Sequence, residues 1–284
     1  MAQTPKEIVS TLLPTLIESA RYARRVQGRI QALEEKQGAA NLFAAALSDA
    51  DLSVQTHVEL ALLAHYPNIP FFGEEWENSR NTKYLAGKTF LPNEDFLITL
   101  DPIDGTRLYL DGHRDYQIIL TVISREAFEA VIVLFPCYNE YIFALRNQGA
   151  FHANFDTPIS AALPWKIKEM PNQIYVSSEL SAIIPKLKSK FSTIFCSNQY
   201  NKDVVIPYLN SLLRSQLCGA ITSSAQIIDG AALAFVASEM GYIVQSHNGG
   251  GIPRPVDYPN LILPGLVVGK DIETLSALKN VISK

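Results

Sequence analysis

The chain has 284 residues, with 28 acidic against 24 basic side chains and a net charge of −4 at pH 7. Hydrophobic residues make up 48% and charged residues 18%, which excludes an intrinsically disordered chain and fits a globular enzyme of one large domain or two lobes. No long Lys/Arg run is present, which argues against nucleic acid as a partner. Cys137, Cys196 and Cys218 are far apart and lack a C-x-x-C spacing, so they outline neither a disulfide framework nor a zinc site. A reducing, cytoplasmic setting is expected. The apolar stretch at 8–17 lacks a basic lead and a cleavage site, and no run reaches the length of a membrane span.

In chain order, residues 5–35 read as a helix that opens at Pro5 and carries an irregularity at Pro14. Arg21, Arg24, Arg25 and Arg29 are expected on its solvated face. A second helix is expected over 52–65, ended near Pro67. Strands follow near 69–72, 95–100, 116–123, 128–135 and 139–146, with Asn and Gly turns between several of them. Residues 78–92 are polar, bear Gly and Pro, and read as a mobile loop. After about residue 156 strands and helices alternate. Strands are expected at 174–177, 193–196, 216–222, 242–245 and 266–268. Helices are expected at 202–214, at 229–240 (ended by Gly241), and from an Asp271 cap to about 282. The 247–253 loop is rich in glycine but opens no helix, so it matches a phosphate cradle only weakly.

Asp101-Pro102-Ile103-Asp104-Gly105-Thr106 carries most of the chemistry. It follows the apolar run 95–100, so two carboxylates are expected where a buried strand gives way to a turn. Such a bend can aim two acids and a backbone carbonyl at one point, and hard cations such as Mg²⁺ favour oxygen ligands of that kind. The N–H groups of Gly105 and Thr106 suit a phosphate oxygen. Phosphatases of the haloacid-dehalogenase type also place Asp, Asp, Gly and Thr after a strand, but with one residue between the acids. Here two residues intervene, which argues against a covalent aspartyl-phosphate. Companion acids stand at Asp49, Asp51, Glu74, Glu75 and Asp229.

With these residues the chain resembles the inositol monophosphatase family, within the lithium-sensitive, Mg²⁺-dependent phosphatases. The resemblance rests on Gly73-Glu74-Glu75, on Asp101 to Thr106, on Gly149-Ala150-Phe151, and on Asp229-x-Ala231-Ala232 followed by Glu239-x-Gly241, in family order across about residues 48–245. It implies an α/β fold layered αβαβα, of the type shared with fructose-1,6-bisphosphatase. It also implies an N-terminal lobe over about 1–155 and a C-terminal lobe over about 156–284, and a homodimer. For the site it implies Glu74, Asp101 and the Ile103 carbonyl on a first Mg²⁺, and Asp101, Asp104 and Asp229 on a second. A third, weaker ion would use Glu74 and waters, and Mn²⁺ would be able to substitute.

Asp51, Thr106 and Glu74 would then be catalytic, the first two orienting a water for direct in-line attack. Asp104, Gly105, Thr106 and Thr222 would face the substrate. Cations would offset the repulsion among such crowded carboxylates. Beside these roles, Asp49 reads equally as a helix N-cap, Glu75 as an outlying or solvated acid, and Arg107 as an exposed arginine. Glu239 reads as a packing or ion-pairing residue, Gly149-Ala150-Phe151 as a tight turn with a core aromatic, and the five histidines have no role.

The chain departs from the family at Ile228, where Trp is usual, and at Leu233 and Tyr242, where Gly is usual. Thr222 stands where inositol-cleaving members hold a Glu. The implied function is therefore a Mg²⁺-dependent phosphomonoesterase of small metabolites such as inositol monophosphate, a sugar phosphate or histidinol phosphate. Alternatives are a 3′-phosphoadenosine 5′-phosphate phosphatase and an inactive paralogue that binds phosphorylated ligands.

Overall fold

The computed structural model describes residues 3–30, 48–166 and 168–282. The chain divides into two compact units, one of residues 1–145 with 151–163 and one of residues 146–150 with 164–284.

The first unit opens with helix α1 (Pro5–Val26), whose N-terminus is closed by reciprocal Thr4–Glu7 hydrogen bonds. Pro14 lies inside this helix without ending it. The helix expected to run to residue 35 ends instead at Val26: Gln27 is its C-cap, Gly28 takes φ +77, and Arg29 lies beyond it in a turn. The part of that expectation past residue 30 falls outside the described residues. Helix α2 (Asp49–His65) starts three residues earlier than the apolar pattern indicated, because Ser48 and Asp51 cap it. Ser48 is the N-cap, so Asp49 is the first helical residue and not the cap.

These two helices pack on a seven-stranded sheet ordered β1 to β7. Its strands are β1 (Phe71–Gly73), β2 (Leu97–Asp104), β3 (Gln117–Ile123), β4 (Phe128–Phe135), β5 (Glu140–Leu145), β6 (Gly149–Asn154) and β7 (Leu163–Pro164). β1 runs parallel to β2, and β2 to β5 form an antiparallel ladder. β3 is buried throughout and β4 is buried except at Glu129, which explains their almost unbroken apolar sequence. The core between sheet and helices gathers Leu12, Leu16, Val58, Leu62, Ile98, Leu120, Ile132 and Tyr141. Gly149-Ala150-Phe151 is not a turn but the start of β6.

β2 also differs from expectation. It does not stop at Leu100 but continues through Asp104, with a bulge between Asp101 and Asp104. The short helix α3 (Thr106–Leu110) follows at once, entered through Gly105 with φ +89, a conformation suited to glycine.

The second unit holds a five-stranded sheet of mixed direction, with β8 (Gln173–Val176), β9 (Thr193–Cys196), β10 (Gly219–Ile221), β12 (Ile243–Ser246) and β14 (Leu266–Gly269). β8 pairs in parallel with β9 and β10, while β14 pairs antiparallel with β10 and β12. β11 (Ser224–Gln226) and β13 (Ile262–Pro264) form a separate antiparallel pair. Helix α4 (Ile184–Leu187) is a single turn, α5 (Gly230–Glu239) is entered through Asp229, and α6 (Ile272–Ile282) packs on β10 and β14. Thr274 N–H donates to the Asp271 carboxylate at 2.7 Å, as expected of the cap.

The helix expected at 202–214 does not form. Only a 3₁₀ turn at Leu209–Leu212 is present, preceded by turns and an Asn201–Val204 bridge. Pro207 offers no N–H and biases Ile206 away from helical geometry, which outweighs the apolar spacing there.

Candidate active site

The bulge in β2 does what the spacing of the two acids alone cannot. Asp101 pairs with Ile119 and Asp104 with Gln117, so three steps along β2 face two along β3. In a regular strand residues three apart point to opposite faces; the extra residue brings Asp104 round to the side of Asp101. Pro102 is tolerated there because a bulge leaves ladder positions unpaired. Asp101 is nearly buried and Ile103 fully so. The Asp104 carboxylate accepts a hydrogen bond from Gln117 Nε2, a partner the sequence did not mark.

Thr106 begins α3, and its Oγ1 lies 2.9 Å from Asp51 Oδ1 and 2.9 Å from the Ile103 carbonyl. One hydroxyl proton serves two acceptors, and the oxygen keeps a lone pair for a third group. Asp51 has no exposed surface. Its other oxygen accepts the Ser48 backbone N–H at 2.9 Å and the Ser48 hydroxyl at 2.5 Å. Ser48 thus both starts α2 and fixes the Asp51 carboxylate with one oxygen toward Thr106. The Ser-x-x-Asp spacing at 48–51 was a legible cap signal that the sequence reading passed over.

Glu74 follows β1, and its N–H donates to the Leu100 carbonyl at 2.9 Å. Burial pushes Asp51 up to about 7, against hydrogen bonds from Ser48 and Thr106, with further upward push from the charges of Glu74 and Glu75. Burial likewise raises Asp104 to about 6, countered by the Gln117 hydrogen bond and reinforced by Glu74. Glu74 therefore shares one electrostatic neighbourhood with Asp51 and Asp104.

Among the described residues, no three acidic, histidine or cysteine side chains converge closely enough to grip one ion as they stand. The donors are nonetheless all hard oxygens, buried or half-buried, and the Glu74 charge adds to the raised proton affinity that burial gives Asp51 and Asp104. That is the chemistry of a hard divalent cation site.

Asp229 belongs to the second unit, half-buried, where its carboxylate accepts the N–H of Gly230 at the start of α5. Ile228, Leu233 and Tyr242, the departures from the family, are buried in the same unit. The Tyr242 hydroxyl reaches the carbonyls of Leu212 and Leu217 at 3.1 and 3.0 Å, so a residue in the place of a usual glycine is built into the interior. Thr222 is 8% exposed, and its Oγ1 accepts the Leu266 N–H at 3.2 Å.

Glu239 receives the N–H groups of Asn147 and Gly149, both at 2.9 Å, so it holds the segment entering β6. Glu75 is 1% exposed and accepts from Asn78, which sets aside the solvated reading. Arg107 is not simply exposed but pairs with Asp111 at 2.9 Å.

No helix among the described residues is long and apolar enough to cross a membrane. The chain is 25% identical over 205 residues to a glucose-1-phosphate thymidylyltransferase of Streptomyces griseus, covering 72% of this chain and 74% of that protein. It is 25% identical over 115 residues to a histidinol-phosphatase of Chlorobaculum parvum, covering 40% of each. Among solved structures, an IMPase/NADP phosphatase complexed with Mg²⁺ and phosphate superposes with a TM-score of 0.68 at 16% identity, over 97% of this chain and 96% of that one. The family model described as "Inositol monophosphatase family" matches residues 9–279, so the chain belongs to the inositol monophosphatase family and has its mixed α/β fold.

Proposed function

We propose that this protein is a Mg²⁺-dependent phosphomonoesterase that hydrolyses small phosphorylated metabolites. The observation that carries the reading is the buried Thr106–Asp51 contact beside the bulged Asp101–Asp104 pair. A binding module has no need of a buried hydroxyl–carboxylate pair at such a place. Neither has a nucleotidyl transferase, the activity named for the Streptomyces relative, because it does not spend water.

In this reading Glu74, Asp101, Asp104 and the Ile103 carbonyl hold Mg²⁺, and Asp229 is added as a ligand on the family resemblance alone. Two to three ions are proposed, with Mn²⁺ able to substitute. When bound, the cations screen the carboxylates and phosphoryl oxygens and make a water more acidic. The attacking water gives a proton to Thr106 Oγ1 as Thr106 passes its own to Asp51 Oδ1, so the threonine hydroxyl is kept while the water oxygen, now hydroxide-like, approaches phosphorus. Ser48 keeps Asp51 turned for that transfer. The first-turn N–H groups after Gly105 have no intrahelical acceptor and are offered to a phosphoryl oxygen. The bond from phosphorus to the ester oxygen breaks as the new one forms, with no phosphoenzyme, and the leaving oxygen takes up a proton from a solvent water.

For the substrate, candidates are inositol monophosphate-like esters, sugar phosphates and histidinol phosphate, the last being the substrate named for the Chlorobaculum relative. With Thr222 committed to Leu266 and no carboxylate in its place, a weak preference for inositol esters is proposed. Sensitivity to Li⁺ and a homodimeric state are carried over from the family as part of the same proposal. The test is phosphate release from a panel of these esters with Mg²⁺, with and without Li⁺. Mg²⁺-dependent turnover of at least one supports the reading, and none across the panel overturns it.

A further inference from the structure

Glu59 has no exposed surface, yet it is not among the acids proposed to hold Mg²⁺. It lies on α2 and is surrounded by donors. Gln55 Nε2 donates to its Oε1 at 2.9 Å, while Ser79 Oγ and Asn81 Nδ2 donate to its Oε2 at 2.6 and 3.0 Å. Gln55 is equally buried, and its Oε1 accepts the N–H of Glu75 at 2.8 Å. Gly73 lies against the same amide, and a Cβ there would collide with it. Glu74 is therefore bracketed: Gly73 before it packs on Gln55, and Glu75 after it is hydrogen-bonded to Gln55.

We propose that Gln55 and Glu59 form a clamp that positions Glu74 to bind Mg²⁺, an inference that rests on Glu74 being a ligand. Glu59 fixes the Gln55 amide with its oxygen toward Glu75, because the amide's other end must face a carboxylate. The same carboxylate ties the far end of the 74–81 segment through Ser79 and Asn81. Burying an acid here is costly unless its lone pairs are met, and the network meets them at both oxygens. Both residues act through Glu74 and are positioning residues. In metal sites such outlying partners commonly set the affinity for the ion.

The pattern of donors and acceptors makes the proposal testable with near-isosteric changes. Glu59→Gln sets an NH₂ group against Gln55 Nε2 or, turned round, against Asn81 Nδ2, where only the Ser79 hydroxyl and a flipped Asn81 amide could turn to accept it. Adding Gln55→Glu repairs the pattern: position 55 then accepts from both Glu75 N–H and the new amide, whose oxygen still accepts from Ser79 and Asn81.

The experiment is calorimetric titration of Mg²⁺ into the full chain without substrate, with hydrogen exchange of the Glu75 amide measured in the metal-free protein. Glu59→Gln is expected to weaken Mg²⁺ binding by about tenfold or more and to speed Glu75 exchange, and the double swap to restore both. Unchanged Mg²⁺ affinity in folded Glu59→Gln overturns the clamp. So does a double swap that stays as weak as the single change or fails to fold. Should Glu59→Gln alone not fold, the double swap decides by matching the wild type or not. A wild type that binds no Mg²⁺ overturns the site reading instead, and Glu75 exchange then still judges whether the clamp exists.

Discussion

The first unit is built on an antiparallel ladder of six to eight residues per strand from β2 to β5, and the second on strands of three or four residues in its five-stranded sheet. In the first, long buried strands fix register so tightly that a single bulge has one outcome, the turning of Asp104 to the side of Asp101. Every residue proposed as catalytic (Asp51, Glu74 and Thr106) lies in that unit. In the second, Asp229 is a helix cap, and Ile228, Leu233 and Tyr242 have been absorbed into the interior. The difference teaches that the proposed reaction is anchored where register is rigid, while the region with shorter elements carries the departures from the family inside its packing.

The sharpest way to break that comparison is Asp101→Asn. It removes the charge proposed to be shared by two ions, and Mg²⁺-dependent phosphate release is expected to fall below detection. Normal turnover would remove the first unit from its proposed role. Next come Thr106→Ala and Asp51→Asn. Each is expected to lower kcat by roughly 10²-fold while KM holds, as for loss of a water-orienting group. A raised KM at constant kcat would make them binding residues.

In the second unit, Thr222→Val keeps the volume and deletes the acceptor for the Leu266 N–H. It is expected to cost about 1–3 kcal/mol in a urea titration and to leave the ratio of kcat/KM for inositol 1-phosphate over a sugar phosphate unchanged. A change in that ratio would place Thr222 in direct substrate contact.

The smallest effect is at Asp271. Its carboxyl is held below the usual range by the N–H and hydroxyl of Thr274. A lowered folded pKa means that its stabilisation is full above the unfolded value of 3.8 and fades as pH falls below it. Asp271→Ala should therefore cost about 1 kcal/mol at pH 7, and this gap should narrow by pH 3. A gap independent of pH would show that the cap works without its charge.

Local rules made much of this legible. The buried strands β3, β4 and β5 were readable because unbroken apolar runs bounded by turn residues have few other uses. The hexapeptide from Asp101 to Thr106 and the cap at Asp271 could be read from residue types alone. The 202–214 segment misled because apolar spacing was weighed above Pro207. Ser48, Gln117 and the pair Gln55–Glu59 were passed over for another reason. Apart from the local cap signal at Ser48 and the i, i+4 bond between Gln55 and Glu59, their roles consist of contacts 13 to 22 residues along the chain, between Gln117 and Asp104, Gln55 and Glu75, and Glu59 and Ser79 or Asn81.

The sequence by itself determined the family, the reaction class proposed here and the acids available to it, because residue identity and spacing carry those. Only the tertiary structure decided which acids share a side of a strand, which carboxylate is turned toward Thr106, and which buried amide accepts the N–H of Glu75. Strand pairing sets the direction of a side chain through register, and a one-residue bulge reverses it without any change of composition.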